Sequence, residues 1–225
     1  MHYDKKTALS VIFDAAKAYE ENLRDNNLLF VCWDKHKRIS YLEVEFNASN
    51  FMHLTGMRFS EELRSLLIRE SNGKIDANSD ITFANKFYDR CINKRLSVED
   101  FEFAEDGTTP LKLDVLPTLM KSNLSVNAIG DFDARTVKLY TEKIAGNING
   151  CMGFIRDEKT NKNVPNTVLK ADVRDCVSES KRILITYRKK KDDLLYNEIV
   201  YAAKKVEWDD IEFSKEYEYL SKPNK

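Results

Sequence analysis

The side chains that could do chemistry in this 225-residue sequence gather around one stretch, Asn50-Phe51-Met52-His53-Leu54-Thr55-Gly56. Of three histidines, His2 is terminal and His36 sits in a Lys/Arg-rich turn. His53 instead stands between apolar segments, with a hydroxyl (Thr55) and a chain-reversing glycine (Gly56) directly behind it. Imidazole titrates near neutral pH without help, so a half-buried histidine at the edge of an element can serve as general base or acid. The bland alternative is a histidine held by hydrogen bonds for structural reasons. The stretch itself reads as the end of a strand.

Further polar residues sit at the ends of β-prone segments: Lys112; Tyr140 with Thr141 and Lys143; Asn166 with Thr167 and Lys170; Thr186 with Arg188. They suit one chemistry. The 2′-hydroxyl of RNA attacks the neighbouring phosphate once a base removes its proton, while cations stabilise the charge gathering on phosphorus, so such a site asks for little beyond His, Lys, Arg and a hydroxyl. Lys143 precedes Ile144-Ala145-Gly146, where a strand would end and the ammonium would project from a sheet edge; a solvated lysine is the plain alternative. Lys112, flanked by Leu111 and Leu113, either points into the same cleft or lies on a helix surface. Arg188 opens the run Arg188-Lys189-Lys190-Lys191, a phosphate-tracking patch or a solvated hairpin turn, diluted by Asp192-Asp193. In Val164-Pro165-Asn166-Thr167-Val168-Leu169-Lys170, Pro165 fixes the backbone, Asn166 turns it and Thr167 caps a brief helix over 167–177. The N-terminus of that helix would either bind an anion or be a capped turn and nothing else.

Other classes lack their signatures. There is no Walker loop, dinucleotide glycine fingerprint, kinase signature, Gly-x-Ser-x-Gly elbow or His-Glu-x-x-His helix, so no cofactor is expected. Cys32, Cys91, Cys151 and Cys176 are dispersed, without Cys-x-x-Cys pairs or histidines at metal-ligand spacing, and read as four buried thiols. Thirty-six Lys+Arg against thirty-seven Asp+Glu leave no global field to attract nucleic acid or membrane, so any polyanion site is local. No apolar run is long enough to span a bilayer and the first six residues lack a secretory core, which makes the cytoplasm the expected compartment.

The elements that must position these groups follow from periodicity. Leu9, Ile12, Phe13, Ala16, Tyr19 and Leu23 form one stripe of an amphipathic helix over 7–24. Strands at 28–33 and 39–46 make a hairpin that delivers the chain to His53. Helices follow at 59–70, capped by Ser60, from about Asp80, and at 110–120, where Pro117 kinks or ends the element. The second half turns β-prone: segments at 126–132, 137–144 and 151–156 read as an antiparallel meander, and 182–188 pairs with 194–202. Helices first and strands later give an α+β fold, with N-terminal helices packed against an antiparallel sheet. One domain spans 1–203, and 204–225 is a charged, aromatic tail with a fraying end.

Asn50-Phe51-Met52-His53-Leu54-Thr55-Gly56, Lys112-Leu113 with Val115-Leu116, Cys151-Met152-Gly153-Phe154, and Val164-Pro165-Asn166-Thr167-Val168-Leu169-Lys170-Ala171-Asp172 together resemble the phage-associated Barnase/EndoU/colicin/RelE-like nucleases. The group closest in pattern carries a Phe-x-His-Leu-Thr-Gly element followed by a Pro-Asn-Thr element. The resemblance covers about 8–175. It implies a ribonuclease-toxin-like fold, a metal-independent activity borne by phages, prophages and bacterial toxins, and His53, Thr55, Asn166 and Thr167 as matching positions. The expectation is an endoribonuclease in which His53, Lys143 and Arg188 are catalytic. Thr55, Lys112, Tyr140, Asn166, Thr167 and Lys170 would bind an RNA substrate, and a neutralising or target protein is a further expected partner. The alternative is a catalytically inactive RNA- or protein-binding module, such as a phage-encoded inhibitor, using the tail aromatics Trp208, Phe213, Tyr217 and Tyr219 as its interface; deleting 208–225 would then abolish partner capture and leave the fold intact.

Overall fold

The structure, a computed structural model, describes residues 3–72, 76, 79–133 and 139–223. Helix α1 (Lys5–Asn22) starts where the Asp4 carboxylate accepts the Thr7 N–H, and it buries Ala8, Ile12, Ala15, Ala16 and Tyr19 on one face. Asp25, in the left-handed region at φ 56°, reverses the chain into β1 (Asn26–Trp33), which pairs antiparallel with β2 (Ile39–Glu45). The hairpin does not end in a strand at His53. Residues 50–55 form a one-turn helix, α2 (Asn50–Thr55), because Phe51, Leu54 and Thr55 fall at helical spacing and bury together, and Gly56 closes it with φ 68°.

A small two-stranded sheet, β3 (Met57–Phe59) with β4 (Phe101–Phe103), brackets α3 (Glu61–Glu70) and α4 (Asp80–Ile92), whose N-termini are capped by Ser60 and Ser79. Helix α5 (Thr109–Leu119) admits Pro110 in its first turn and ends just beyond Pro117. Strands β5 (Ala128–Asp131), β6 (Lys143–Gly146), β7 (Cys151–Arg156) and β8 (Asn163–Leu169) run as an antiparallel meander. The expected strand at 137–144 is thus realised only at its end; 134–138 lie outside the described residues. The helix expected over 167–177 is instead the end of β8 followed by a 3₁₀ turn at Val173–Asp175, because Val164, Thr167 and Val168 are buried against strand and helix neighbours. Strands β9 (Lys181–Lys190) and β10 (Glu198–Ala202) complete the sheet.

The hydrogen-bonded order is β1-β2-β8-β7-β6-β5-β9-β10, and β9 also pairs β1, so the ladder closes on itself; β2 meets β8 in parallel at Val44 and Asn163. One face, with Leu28, Phe30, Phe46, Met152, Phe154 and Val168, shares the main core with the helices, and Tyr19, Phe46, Phe51 and Tyr88 nest edge-on within it. The fold is α+β. On the other face Leu29, Val31, Leu184, Ile185 and Tyr187 are covered by Trp208, Ile211 and Leu220, so the segment from 206 to 220 lies packed on the sheet. Ile144, Cys151, Val173, Cys176 and Val177 form a third cluster, and all four cysteines are buried and unbridged. Among the described residues no helix is long and apolar enough to cross a membrane.

Candidate functional site

Helix α2 turns its apolar side inward and so presents His53 to solvent. Its end is tied down. The Thr55 hydroxyl donates to the Met52 carbonyl at 2.7 Å and accepts the Met57 N–H at 3.1 Å, while the Thr109 hydroxyl donates to the Gly56 carbonyl. Lys112 reaches back from α5 and donates from Nζ to the His53 carbonyl at 3.1 Å, a cation set where a helix C-terminus favours one. Surrounding protein atoms desolvate the imidazole and lower its pKa; the Asp80 carboxylate at the start of α4 opposes this and the Lys112 ammonium adds to it. Desolvation lowers the Lys112 pKa too, against the pull of Asp106.

Beyond Lys112 lies a 330 Å³ cleft between the start of α5 and β8, walled by Leu111, Leu139 and Cys176, with Lys112, Thr167, Lys170 and the carboxyl residues Asp106 and Asp175 in its polar lining. Lys170 Nζ is 2.6 Å from Asp114 Oδ2, and Asp114 Oδ1 accepts the Tyr3 hydroxyl at 3.0 Å. That lysine, with Tyr3, holds the Asp114 carboxyl below its ordinary range. The Pro-Asn-Thr element is a β-bulge: Gly153 pairs with Thr167 and Phe154 with Pro165, leaving Asn166 as the extra residue. The Asn166 amide donates to the Tyr140 carbonyl at 2.5 Å and its Oδ1 accepts the Thr141 hydroxyl at 3.3 Å, which fixes the segment carrying Leu139 and leaves the Tyr140 ring 82% exposed. No helix starts at Thr167, so the anion site expected at a helix N-terminus is absent.

Lys112, Thr167 and Lys170 therefore share one cleft. Asn166 and Tyr140 build its rim, and His53 adjoins it through Lys112. Thr55 is buried beneath α2 and faces the helix end, away from any substrate path. Lys143 and Arg188 do not join them. Lys143 pairs with Phe154, which faces the main core, whereas Thr167 pairs with Gly153, itself paired on its other side with Ile144, on the opposite face. Its ammonium is ion-paired with Asp131, and it lines a separate 60 Å³ pocket with Lys181. Arg188 stands seven residues beyond Lys181 on β9, roughly 23 Å along the strand. Its guanidinium is committed to Glu198 at 2.8 and 2.7 Å and to the Asn22 carbonyl at 3.4 Å, closing the end of α1.

Asp80 and Asp106, which bias His53 and Lys112, escaped the sequence reading, as did the cleft walls Leu111 and Leu139. The one available signal was Asp106-Gly107-Thr108: the Asp106 carboxylate accepts the Thr108 N–H at 2.9 Å and its hydroxyl at 2.8 Å, a turn that sets the start of α5. Among the described residues no three His, Cys, Asp or Glu side chains gather so as to hold a metal ion.

No curated protein and no solved structure matches the chain. A model of the family described as phage-Barnase-EndoU-ColicinE5/D-RelE like nuclease4 matches residues 11–205, from the middle of α1 through β10. With the whole sheet, α2 to α5 and most of α1 inside that match, the chain belongs to this nuclease family, of Barnase, EndoU, colicin and RelE type.

Proposed function

We propose that the chain is a metal-independent endoribonuclease that binds RNA in the cleft between α5 and β8. The observation that carries this reading is the contact between Lys112, which lines the cleft, and the His53 carbonyl at 3.1 Å, which sets His53 next to the cleft; burial and the ammonium lower the imidazole pKa, and burial lowers that of the lysine. Neutral His53 takes the proton from a 2′-hydroxyl, whose oxygen attacks the adjacent phosphorus. The 5′-oxygen of the next nucleotide leaves with a proton from Lys112, whose lowered pKa makes it a readier acid than an ordinary lysine. A 2′,3′-cyclic phosphate results. Lys170, exchanging its ion pair with Asp114 for the substrate, and the Thr167 hydroxyl hold the phosphate oxygens, and the exposed Tyr140 ring offers a stacking face to a base. The nucleophile belongs to the substrate, which is why RNA and not DNA is the expected target.

Purified protein incubated with total RNA in excess chelator should cut it and leave cyclic or 3′-phosphate ends. His53→Ala should slow cutting by about 10²–10⁴-fold. Intact RNA with the unmodified protein from acid to alkaline pH, or equal cutting by His53→Ala, would overturn the reading.

A further inference from the structure

We infer a second nucleic-acid site, remote from the cleft, that takes single-stranded RNA without cutting it. It lies where β1 ends and β9 begins. Trp33 pairs across the sheet with Arg182, whose guanidinium stands 5.9 Å from the indole centroid, and Lys37 Nζ stands 5.8 Å from the same ring. A 380 Å³ cavity beside Trp33 is lined by Lys37, Ile39, Lys205 and Ile211, with Glu207 and Glu212. A second, of 600 Å³, is lined by Arg182, Lys204, Tyr201 and Asn127. Arg182 joins the two, lining one cavity while covering the tryptophan of the other and donating to the Lys204 carbonyl at 2.8 Å.

Four cations gather on this surface, beside the carboxylates Glu207 and Glu212. Lys143, Lys170, Arg174 and Arg188 are each ion-paired, but Lys37, Arg182, Lys204 and Lys205 form no ion pair with a described carboxylate. The two lysines flanking the first cavity also occupy left-handed backbone positions, φ 60° at Lys37 and 58° at Lys205, where glycine or asparagine would fit at lower cost. Four such cations around an indole and a phenol form a repeated phosphate-and-base surface: ammonium groups for a polyphosphate backbone, guanidinium and ring planes for unstacked bases. A duplex hides its base faces and a lone phosphate needs only one of the cations, so a single strand is the ligand that uses the whole surface. No residue is shared with the cleft, and the inference does not depend on which groups cut RNA.

The probe is a labelled 2′-O-methyl oligonucleotide, which cannot be cleaved through a 2′-hydroxyl, titrated against the full chain. Binding should weaken steeply with salt and quench Trp33, while Trp208, only 9% exposed, serves as internal reference. The double variant Lys37→Gly/Lys205→Gly relieves two left-handed positions and should keep its thermal midpoint; it should bind at least about tenfold more weakly, with a salt slope shallower by about 0.7 for each phosphate it no longer neutralises. Arg182→Gln should abolish the quench, whereas Lys170→Ala should retain it. Unchanged affinity and quench in both patch variants would overturn the inference, and so would equal binding of duplex or capture only by anionic lipid vesicles. Failure of RNA cutting would leave this binding result standing, and failure here would leave the cleft untouched.

Discussion

His53 was visible in the sequence because its neighbours are apolar and the other two histidines are plainly surface residues. Lys112 was named there as a candidate for the same cleft, but its tie to His53 was not visible: it lies 59 residues away, and no local pattern links a lysine on α5 to a carbonyl on α2. Their electrostatic coupling has a definite sign. The ordinary imidazole value is 6.5, and desolvation with the Lys112 charge lowers it while Asp80 raises it. A general base works deprotonated and a general acid protonated, so cutting should rise with pH through a midpoint below 6.5 and fall again at a midpoint below 10.5, where Lys112 loses its proton. Removing the ammonium in Lys112→Ala should move the imidazole midpoint up, and Asp80→Asn should move it down. Proton NMR titration of the His53 ring, assigned against His53→Ala, reads both shifts without any substrate. Shifts of opposite sign would dismantle the electrostatic account of the site. Lys143 and Arg188 show the converse limit of residue-level reading. Each has the right chemistry and the right place at a strand end, yet Asp131 and Glu198 occupy them, and only strand register reveals that they face away from the cleft.

Two short elements carry the site, and both were assigned the wrong type from sequence. Six residues of α2 hold too few turns to declare a period, so the apolar run Phe51-Met52 followed by Leu54 reads equally as strand. In β8, Pro-Asn-Thr carries turn and cap chemistry, but a bulge uses the same residues to let a proline into a strand and to aim an amide at a neighbouring loop. The longer elements α1, α3, α4 and β9 were legible because their stripes and caps repeat over several turns or pairs. Gly56 is where the wrong assignment mattered least, since a chain reversal was expected there on either reading. Its φ of 68° disfavours any side chain, and a Cβ would come within 2.8 Å of Lys112 Cδ and 3.3 Å of the Thr109 backbone. Gly56→Ala should therefore cost at least about 1–2 kcal/mol, lowering the thermal midpoint by about 2–4 °C per kcal/mol. Because the side chain it displaces is Lys112, the His53 midpoint should rise as well. A thermal melt and the same NMR titration check both, and an unchanged melt would show that the helix end tolerates a Cβ.

The sheet as a whole explains why the segment from 206 to 220 is structural. Strands β1 and β9 run through continuous apolar sequence, Leu28-Leu29-Phe30-Val31 and Ile183-Leu184-Ile185, the pattern of strands buried on both faces. The helices cover one face only. Something else must cover the other, and the segment from 206 to 220, part of what the sequence set apart as a charged, aromatic tail, does so with irregular backbone that no period could announce. Tyr41 stacks on Tyr217 at 4.4 Å and its hydroxyl accepts the Ser214 N–H at 2.8 Å, while the Tyr187 hydroxyl donates to the Ser221 carbonyl at 2.6 Å. The family match stops at 205, so this cover lies just past the matched region yet completes its core. Trp208→Ala should then cost about 3–5 kcal/mol, as large-to-small changes of buried aromatics do. Deleting 208–225 should cost more, because Leu29, Val31, Leu184 and Ile185 become solvent-facing together, and the exposed patch should drive association. Urea unfolding with light scattering measures both. If the deletion left the midpoint and the scattering unchanged, the tail would be an appendage free to engage a partner; lost stability with new association would instead make it the second layer of the fold, and any partner would have to compete with the sheet for it.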